Sequence, residues 1–399
     1  MPKDKDENQL QGGENVWTLL VQACFVVNGL AAVLGGTLLP EVMSAFDPSP
    51  WWGGLFISVP AFGIIVAGSV GSLVSNRIGP KRTLGLSLFG LALSFTSIGF
   101  APNTLILLLS AAGFGIVNGL IEMTGNAIIA GIHRDKAARE LNRLHFFFGV
   151  GAFVGPLVVA YLFTKGVAWE ACYLGVAILS VLLATYLARQ PFTIKISLAH
   201  RPGFFRIRSL LRRGSMIQVL VGTILLLATE QGITGWITTY LRVEKLMSPE
   251  IASLGLATFW LAMLAGRLLN SHLPATWSLS GIIVTEALAG TAALLLVLTL
   301  HDWGANLVGL GLVGLAMAGL YPTLFAYASG RNAEQLELVS GVFVAGVGIG
   351  KLVGPQLIGF IANGTSISTA MYATWIAFAG VAVVFSLGRQ GSRKVNQEN

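Results

Sequence analysis

Long apolar runs separated by short polar segments organise this chain. A helix that crosses a bilayer needs about 20 mainly apolar residues. Twelve runs of that kind predict twelve membrane-spanning helices, over residues 16–39, 51–75, 83–101, 103–131, 143–164, 169–188, 215–241, 250–270, 278–300, 303–329, 336–362 and 368–388. None shows the alternating pattern of a barrel strand. The pattern therefore predicts an all-α membrane protein.

Composition agrees with this prediction. Hydrophobic residues make up 54% of the chain and charged residues 11%, whereas a soluble domain carries about 25% charged residues. Cys24 and Cys172 lie inside apolar runs and form neither a disulfide framework nor a metal-ligand spacing. The chain has no phosphate-binding loop, zinc-protease motif or nucleophile elbow, and its Gly-x-Gly stretches lie in mid-span. We expect neither an enzyme nor a bound cofactor.

The positions of the basic residues predict the orientation. With both termini placed in the cytoplasm, 21 Lys and Arg residues fall on the inner side and 3 on the outer side. Cytoplasmic loops of membrane proteins carry this excess, so the net charge of +7 needs no nucleic-acid partner. Residues 1–15 lack the layout of a cleaved signal peptide. We predict a cytoplasmic (inner) membrane protein whose first span is retained.

A basic break divides the chain into two similar parts. Residues 189–214 predict a cytoplasmic linker that contacts anionic lipid, between six-helix bundles at 1–188 and 215–399. Four positions recur at an offset of 199, namely Gly149, Gly151, Gly155 and Pro156 against Gly348, Gly350, Gly354 and Pro355. Duplicated halves with a midplane solute site are the architecture of alternating-access carriers. We expect a monomer.

The turn after the second span carries a recognisable motif, formed by Gly71, Asn76, Arg77, Gly79, Lys81 and Arg82. It resembles the cytoplasmic signature of the major facilitator superfamily, with Asn76 in place of the usual acidic residue. The resemblance implies twelve helices in two pseudo-symmetric bundles, secondary transport, and a role for the motif in conformational change. In physical terms, Gly71 permits close helix contact, Gly79 permits a tight turn, and the basic residues can pair with helix C-termini.

A narrower resemblance rests on three spans, through Glu122-Met-Thr-Gly-Asn126, Asn142-Arg-Leu-His145 and Glu230-Gln231-Gly-Ile-Thr-Gly-Trp236. Together they are similar to the fucose–proton symporter group and related sugar transporters. In that group the fourth-span Glu and Asn serve coupling and sugar binding, which implies these roles for Glu122 and Asn126. The group's first-span Asp aligns with Gly36, and its fifth-span Asn with Phe148. One of its two coupling carboxylates is therefore missing here.

Ionisable groups inside spans are costly unless they are paired or hydrated, so they are the candidates for chemistry. Proton coupling is predicted for Glu122, Glu230 and His145. Substrate binding is predicted for Asn28, Asn118, Asn126, Gln231, Trp236, Tyr321 and Lys351. A structural helix-to-helix hydrogen bond is the alternative for Glu122, and pairing with Glu230 is the alternative for Lys351. Glu286, in the ninth span, is expected to be structural.

These residues favour proton-coupled, alternating-access transport of a small polar solute, with a sugar as the expected substrate. The alternative is a proton-driven exporter of drugs or amphipathic lipids, because Gly151, Gly155 and Pro156 resemble part of the antiporter motif. A third hypothesis is a receptor or scaffold that transports nothing. It is disfavoured because a scaffold does not need ionisable groups inside its spans.

Overall fold

The computed structural model describes residues 3–192, 214–270, 272–274, 276–330 and 336–395. The described residues form fourteen α-helices: α1 (Lys3–Thr37), α2 (Leu39–Phe46), α3 (Pro50–Ile78), α4 (Pro80–Gly99), α5 (Thr104–Ile132), α6 (Ala137–Thr164), α7 (Trp169–Arg189), α8 (Gly214–Val243), α9 (Pro249–Asn270), α10 (Leu279–Thr299), α11 (Trp303–Met317), α12 (Leu320–Gly330), α13 (Leu336–Gly364) and α14 (Ile367–Val395). A 3₁₀ turn, Arg134–Lys136, precedes α6.

These helices make twelve spans, as the apolar runs predict. Eleven segments are long and apolar enough to cross a membrane, and α11 and α12 together form one of them. The twelfth span is α4, a helix of 20 residues. Its first turn contains two basic residues, Lys81 and Arg82, after Pro80. The protein is therefore an all-α, multi-pass membrane protein, and the predicted fold class is confirmed.

Two features of the fold were not predicted. The short helix α2 follows α1 directly, with Pro40 in its first turn, where the missing N–H of proline costs no hydrogen bond. The tenth span is interrupted at Ala318 and Gly319, which separate α11 from α12. Residues 193–213, which make up most of the predicted linker 189–214, lie outside the described residues.

One compact unit consists of Met1–Leu34, Phe62–Gly155 and Gly166–His200. In it, α1 and α6 approach so closely that a Cβ on Gly151 would collide with the Val26 carbonyl oxygen. Aromatic rings fill the space between α4, α5 and α7, where Phe95 lies 5.1 Å from the rings of both Phe114 and Tyr173.

The second compact unit consists of Gly35–Ala61, Pro156–Lys165 and Arg201–Asn399. Here α13 packs on α8, and a Cβ on Gly350 would lie 2.6 Å from the Ile224 carbonyl oxygen. Gly151 and Gly350 are equivalent in the sequence repeat, so the same position brings two helices together in each unit. The division into bundles 1–188 and 215–399 remains a prediction.

Candidate functional site

A polar face runs along α5 in the first unit. Asn118, Glu122 and Asn126 stand four residues apart, so their side chains lie on one side of the helix. The Asn118 amide is buried and its Nδ2 donates to Oδ1 of Asn28 on α1, at 3.1 Å. Glu122 is half-buried and forms no ion pair with any described residue. The structure thus brings together three of the predicted substrate-binding residues and one predicted coupling residue.

This face has unused hydrogen-bonding capacity. Nδ2 of Asn28 and Oδ1 of Asn126 are buried, and neither has a hydrogen-bond partner among the described residues. A buried polar atom without a partner costs about 1–3 kcal/mol. A solute that carries hydroxyl groups would recover this free energy, since a hydroxyl both donates and accepts.

The other predicted coupling residue of the first unit is His145 on α6. Its side chain is exposed, and its ring meets Phe25 edge-on with centroids 5.6 Å apart. Proton relay by His145 remains a prediction.

Most of the remaining predicted site residues belong to the second unit. Glu230 and Gln231 on α8 and Lys351 on α13 are half-buried. Tyr321, in the first turn of α12, is 41% exposed and meets Phe343 edge-on at 4.9 Å. Lys351 forms no ion pair with Glu230 or with any other described carboxylate. The alternative in which Lys351 pairs with Glu230 is therefore not realised in this structure.

Trp236 has a packing role in the structure. Its side chain is fully buried and its Nε1 donates to the Pro355 carbonyl oxygen at 3.0 Å. This hydrogen bond joins α8 to α13. Solute binding by Trp236 remains a prediction.

Sequence reasoning missed Arg267, which it counted among the loop charges. The structure places Arg267 in the last turn of α9, half-buried, where it interacts electrostatically with Glu230 and Tyr321. The signal was present, because residue 267 lies within the predicted span 250–270. One turn further on, Asn270 donates to Oε1 of Glu286 at 2.8 Å. This bond joins α9 to α10, which agrees with a structural role for Glu286.

An ion pair that no sequence spacing indicated joins Glu41 on α2 to Arg242 in the last turn of α8. Both residues belong to the second unit, and both side chains are largely buried, at 16% and 24% exposure. Burial raises the pKa of Glu41, and the positive charge of Arg242 only partly opposes that shift. The pair therefore does not compensate fully for the desolvation of the carboxylate.

Because the desolvation of Glu41 is only partly compensated, we expect the two single variants of the pair to differ in stability. Arg242→Gln is expected to lower the free energy of unfolding by about 1–3 kcal/mol, because it leaves a buried carboxylate without a cation. Glu41→Gln, which removes that carboxylate, is expected to cost less. In Arg242→Gln the folded-state pKa of Glu41 rises further, so the deficit shrinks as the pH falls through that pKa. Thermal unfolding in detergent across pH measures both effects; equal losses that do not depend on pH would contradict the account.

Close backbone approaches also occur within the second unit. A Cβ on Gly36 of α1 would collide with the Thr234 carbonyl oxygen of α8. A Cβ on Gly54 of α3 would lie 2.9 Å from the Pro355 carbonyl oxygen of α13. An aspartate at position 36 would therefore collide with α8 in this conformation.

The motif after the second span forms a tight turn between α3 and α4. Gly79 has a φ of 88°, a conformation that favours glycine, and a Cβ on Gly71 would lie 2.7 Å from the Met123 Cε atom. Nζ of Lys81 donates to the carbonyl oxygens of Ala188 and Gln190, at 2.9 and 2.5 Å. This is the pairing of a basic residue with a helix C-terminus that the motif predicts, here the C-terminus of α7. The rest of the motif, Asn76, Arg77 and Arg82, is exposed.

Lys81→Met is expected to lower the free energy of unfolding by about 0.5–2 kcal/mol, because it removes a cation from the carbonyl end of α7. Arg82→Met is the matched control, since Arg82 is exposed one residue away. Thermal unfolding of both purified variants measures the difference. Equal melting temperatures for the two variants would show that the contact contributes nothing.

Comparison with known proteins places this geometry in a family. The family model described as Major Facilitator Superfamily matches residues 22–329. Membrane protein MosC of Rhizobium meliloti is 26% identical over 95% of this chain and 92% of its own length. A putative glucose/galactose transporter of Helicobacter pylori (strain J99) is 25% identical over 84% of this chain and 86% of its own length.

A solved structure has the same fold. The fucose:proton symporter of E. coli superimposes with a TM-score of 0.62 at 18% identity, over 94% of this chain and 99% of that one. Because the family model matches well over half of the residues, the chain is a transporter and belongs to the major facilitator superfamily.

Proposed function

We propose that the protein is a secondary active carrier that takes up a small hydroxyl-rich solute, a sugar or polyol, together with protons. The observation that carries this proposal is the α5 face, where Glu122 lies between Asn118 and Asn126, and where Oδ1 of Asn126 and Nδ2 of the neighbouring Asn28 have no hydrogen-bond partner among the described residues. Relatives named as glucose/galactose transporters support the sugar class, and a fold neighbour named as a fucose:proton symporter supports the coupling.

Solute binding would use the polar atoms of that face that have no hydrogen-bond partner among the described residues. Hydroxyl groups would donate to Oδ1 of Asn126 and to Glu122, and would accept from Nδ2 of Asn28. The Asn118–Asn28 hydrogen bond holds the two amide side chains in place. Solute binding would therefore cost little side-chain conformational entropy at these two residues.

Proton coupling would centre on Glu122. A carboxylate inside a span costs several kcal/mol more than the neutral acid, so a protonated Glu122 passes through conformational change more easily. Glu230 and His145 would assist the transfer. Because position 36 carries no carboxylate, we expect coupling through one acidic residue of this face.

The conformational cycle would be alternating access of the two six-span bundles predicted from the sequence. The Glu41–Arg242 ion pair and the approach of Gly36 to Thr234 join the end of α1 and α2 to the end of α8. By the predicted orientation, these contacts lie at the outer side of the cytoplasmic membrane. Opening that side would therefore break the ion pair. Both termini and the lipid-contacting linker would lie on the cytoplasmic side, in a monomeric carrier.

Transport into proteoliposomes tests the proposal. An imposed inward proton gradient should drive accumulation of labelled glucose, galactose or fucose, and a protonophore should abolish it. A sodium gradient without a proton gradient serves as the control for the coupling ion. Accumulation that follows sodium and ignores the protonophore would reject proton coupling. Transport of dyes or lipids but of no sugar would favour the exporter.

A further inference from the structure

Arg267, an arginine inside a span, has no counter-charge in contact with it among the described residues. Within that part of the chain, Nη2 of Arg267 donates only to the Met263 sulfur, at 3.7 Å, and thioether sulfur is a weak acceptor. No described carboxylate forms an ion pair with the guanidinium; Glu230 and Tyr321 act on it only through electrostatic interaction. A charged side chain inside a span is costly unless it is paired or hydrated, so this guanidinium group is a candidate to bind an anionic group of a solute.

A second cation of the same unit, Lys351, also lacks an ion pair with any described residue. Lys351 is half-buried in the middle of α13. Side chains on a helix tilt toward its N-terminus. Since α9 and α13 are the eighth and eleventh spans, they run in opposite directions, and Arg267 lies near the membrane face where α13 begins. The two side chains therefore lean toward each other along the membrane normal.

The helix break provides a third feature of this region. The span formed by α11 and α12 is interrupted at Gly319, and Tyr321 stands in the first turn of α12 with 41% of its surface exposed. Discontinuous helices in carriers direct half-helix N-termini at anionic groups of their substrates. A Cβ on Gly319 would collide with Asn270 and Glu286, so Glu286 is held at the break by its amide partner, away from an ion pair with either cation.

We propose that Arg267, Lys351 and Tyr321 bind a carboxylate group of the transported solute, so that the substrate class is a sugar acid or similar polyhydroxy acid. This inference rests on the proposed function and narrows its substrate. The carboxylate would accept hydrogen bonds from the guanidinium group of Arg267, the ammonium group of Lys351 and the hydroxyl group of Tyr321. Glu230 competes for Arg267 in the empty carrier.

Binding to the purified full-length protein tests this assignment, with D-gluconate, D-glucose and benzoate as probes. Charge-assisted hydrogen bonds predict that gluconate binds about 10- to 100-fold more tightly than glucose. Arg267→Gln should abolish that preference while leaving glucose affinity unchanged, and Arg267→Lys should keep part of it. Glu230→Gln should tighten gluconate binding, because it removes the competing carboxylate. An Arg139→Gln variant, changed at an exposed arginine of α6 outside the motif, should bind as the wild type does.

The outcomes separate the two proposals. Equal affinities for glucose and gluconate in the wild type, or a preference that survives Arg267→Gln, would overturn the carboxylate site and leave the sugar function intact. Benzoate binding that requires Arg267, with no binding of either sugar probe, would keep the carboxylate site and reject the sugar. If none of the three probes binds, the carboxylate site is overturned, and uptake of galactose or fucose in the transport assay decides the sugar function separately.

Discussion

Replacing Glu122 with Gln is expected to abolish proton-driven accumulation of solute while leaving solute exchange across the membrane intact. The amide keeps the shape and hydrogen bonding of the neutral acid, but it cannot take up or release a proton. The variant would therefore behave as a carrier that is always loaded with its proton. Under a proton gradient, the internal solute concentration should rise only to the external concentration. Counterflow, which needs no net proton movement, should continue at a rate close to that of the wild type.

Glu286→Gln is the matched control, since Glu286 is also an acidic residue inside a span. Its Oε1 accepts from Asn270, and a glutamine oxygen can accept the same bond. We expect Glu286→Gln to accumulate solute normally. Full accumulation by Glu122→Gln, or equal loss in both variants, would remove Glu122 from the coupling mechanism.

Gly36→Ala is expected to have the second largest effect, on the stability of the conformation observed here. The added Cβ would collide with the Thr234 carbonyl oxygen, which is backbone and cannot rotate away. Overpacking of this kind costs about 1–3 kcal/mol or more. The neighbouring Gly35→Ala is the control, because its Cβ would meet the Ile57 Cδ1 atom at 3.4 Å, an ordinary contact.

Thermal unfolding of the two alanine variants measures this difference directly. Gly36→Asp should be at least as destabilising as Gly36→Ala, so restoring the symporter carboxylate would not restore a second coupling site. A Gly36→Asp variant as stable as the wild type would show that α1 and α8 do not need to approach this closely.

The membrane makes the fold of this chain readable from the sequence. The bilayer demands a minimum apolar length for each span, and the predicted runs agree with the helices to within a few residues at most ends. The break at Ala318 and Gly319 was not readable, because small apolar residues there continue the hydrophobic run. The short helix α2 was missed because it lies between spans, where apolar length carries no information.

The candidate site was readable only in part. The α5 face followed from a spacing of four residues within one helix, and the Asn118–Asn28 contact shows that this face meets α1. The Glu41–Arg242 pair joins residues 201 positions apart, and no local pattern reports such a contact. Arg267 was visible inside a predicted span, but charge counting assigned it to the adjacent loop.

The most direct test of the central claim is the movement of protons caused by the solute itself. Proteoliposomes are loaded with a pH-sensitive dye, with no ion gradient imposed, and the sugar or sugar acid that binds the purified protein is added outside. The account predicts that the interior acidifies as solute enters, and that Glu122→Gln transports without acidification. Solute entry without any pH change in the wild type, or the same change in Glu122→Gln, would contradict it.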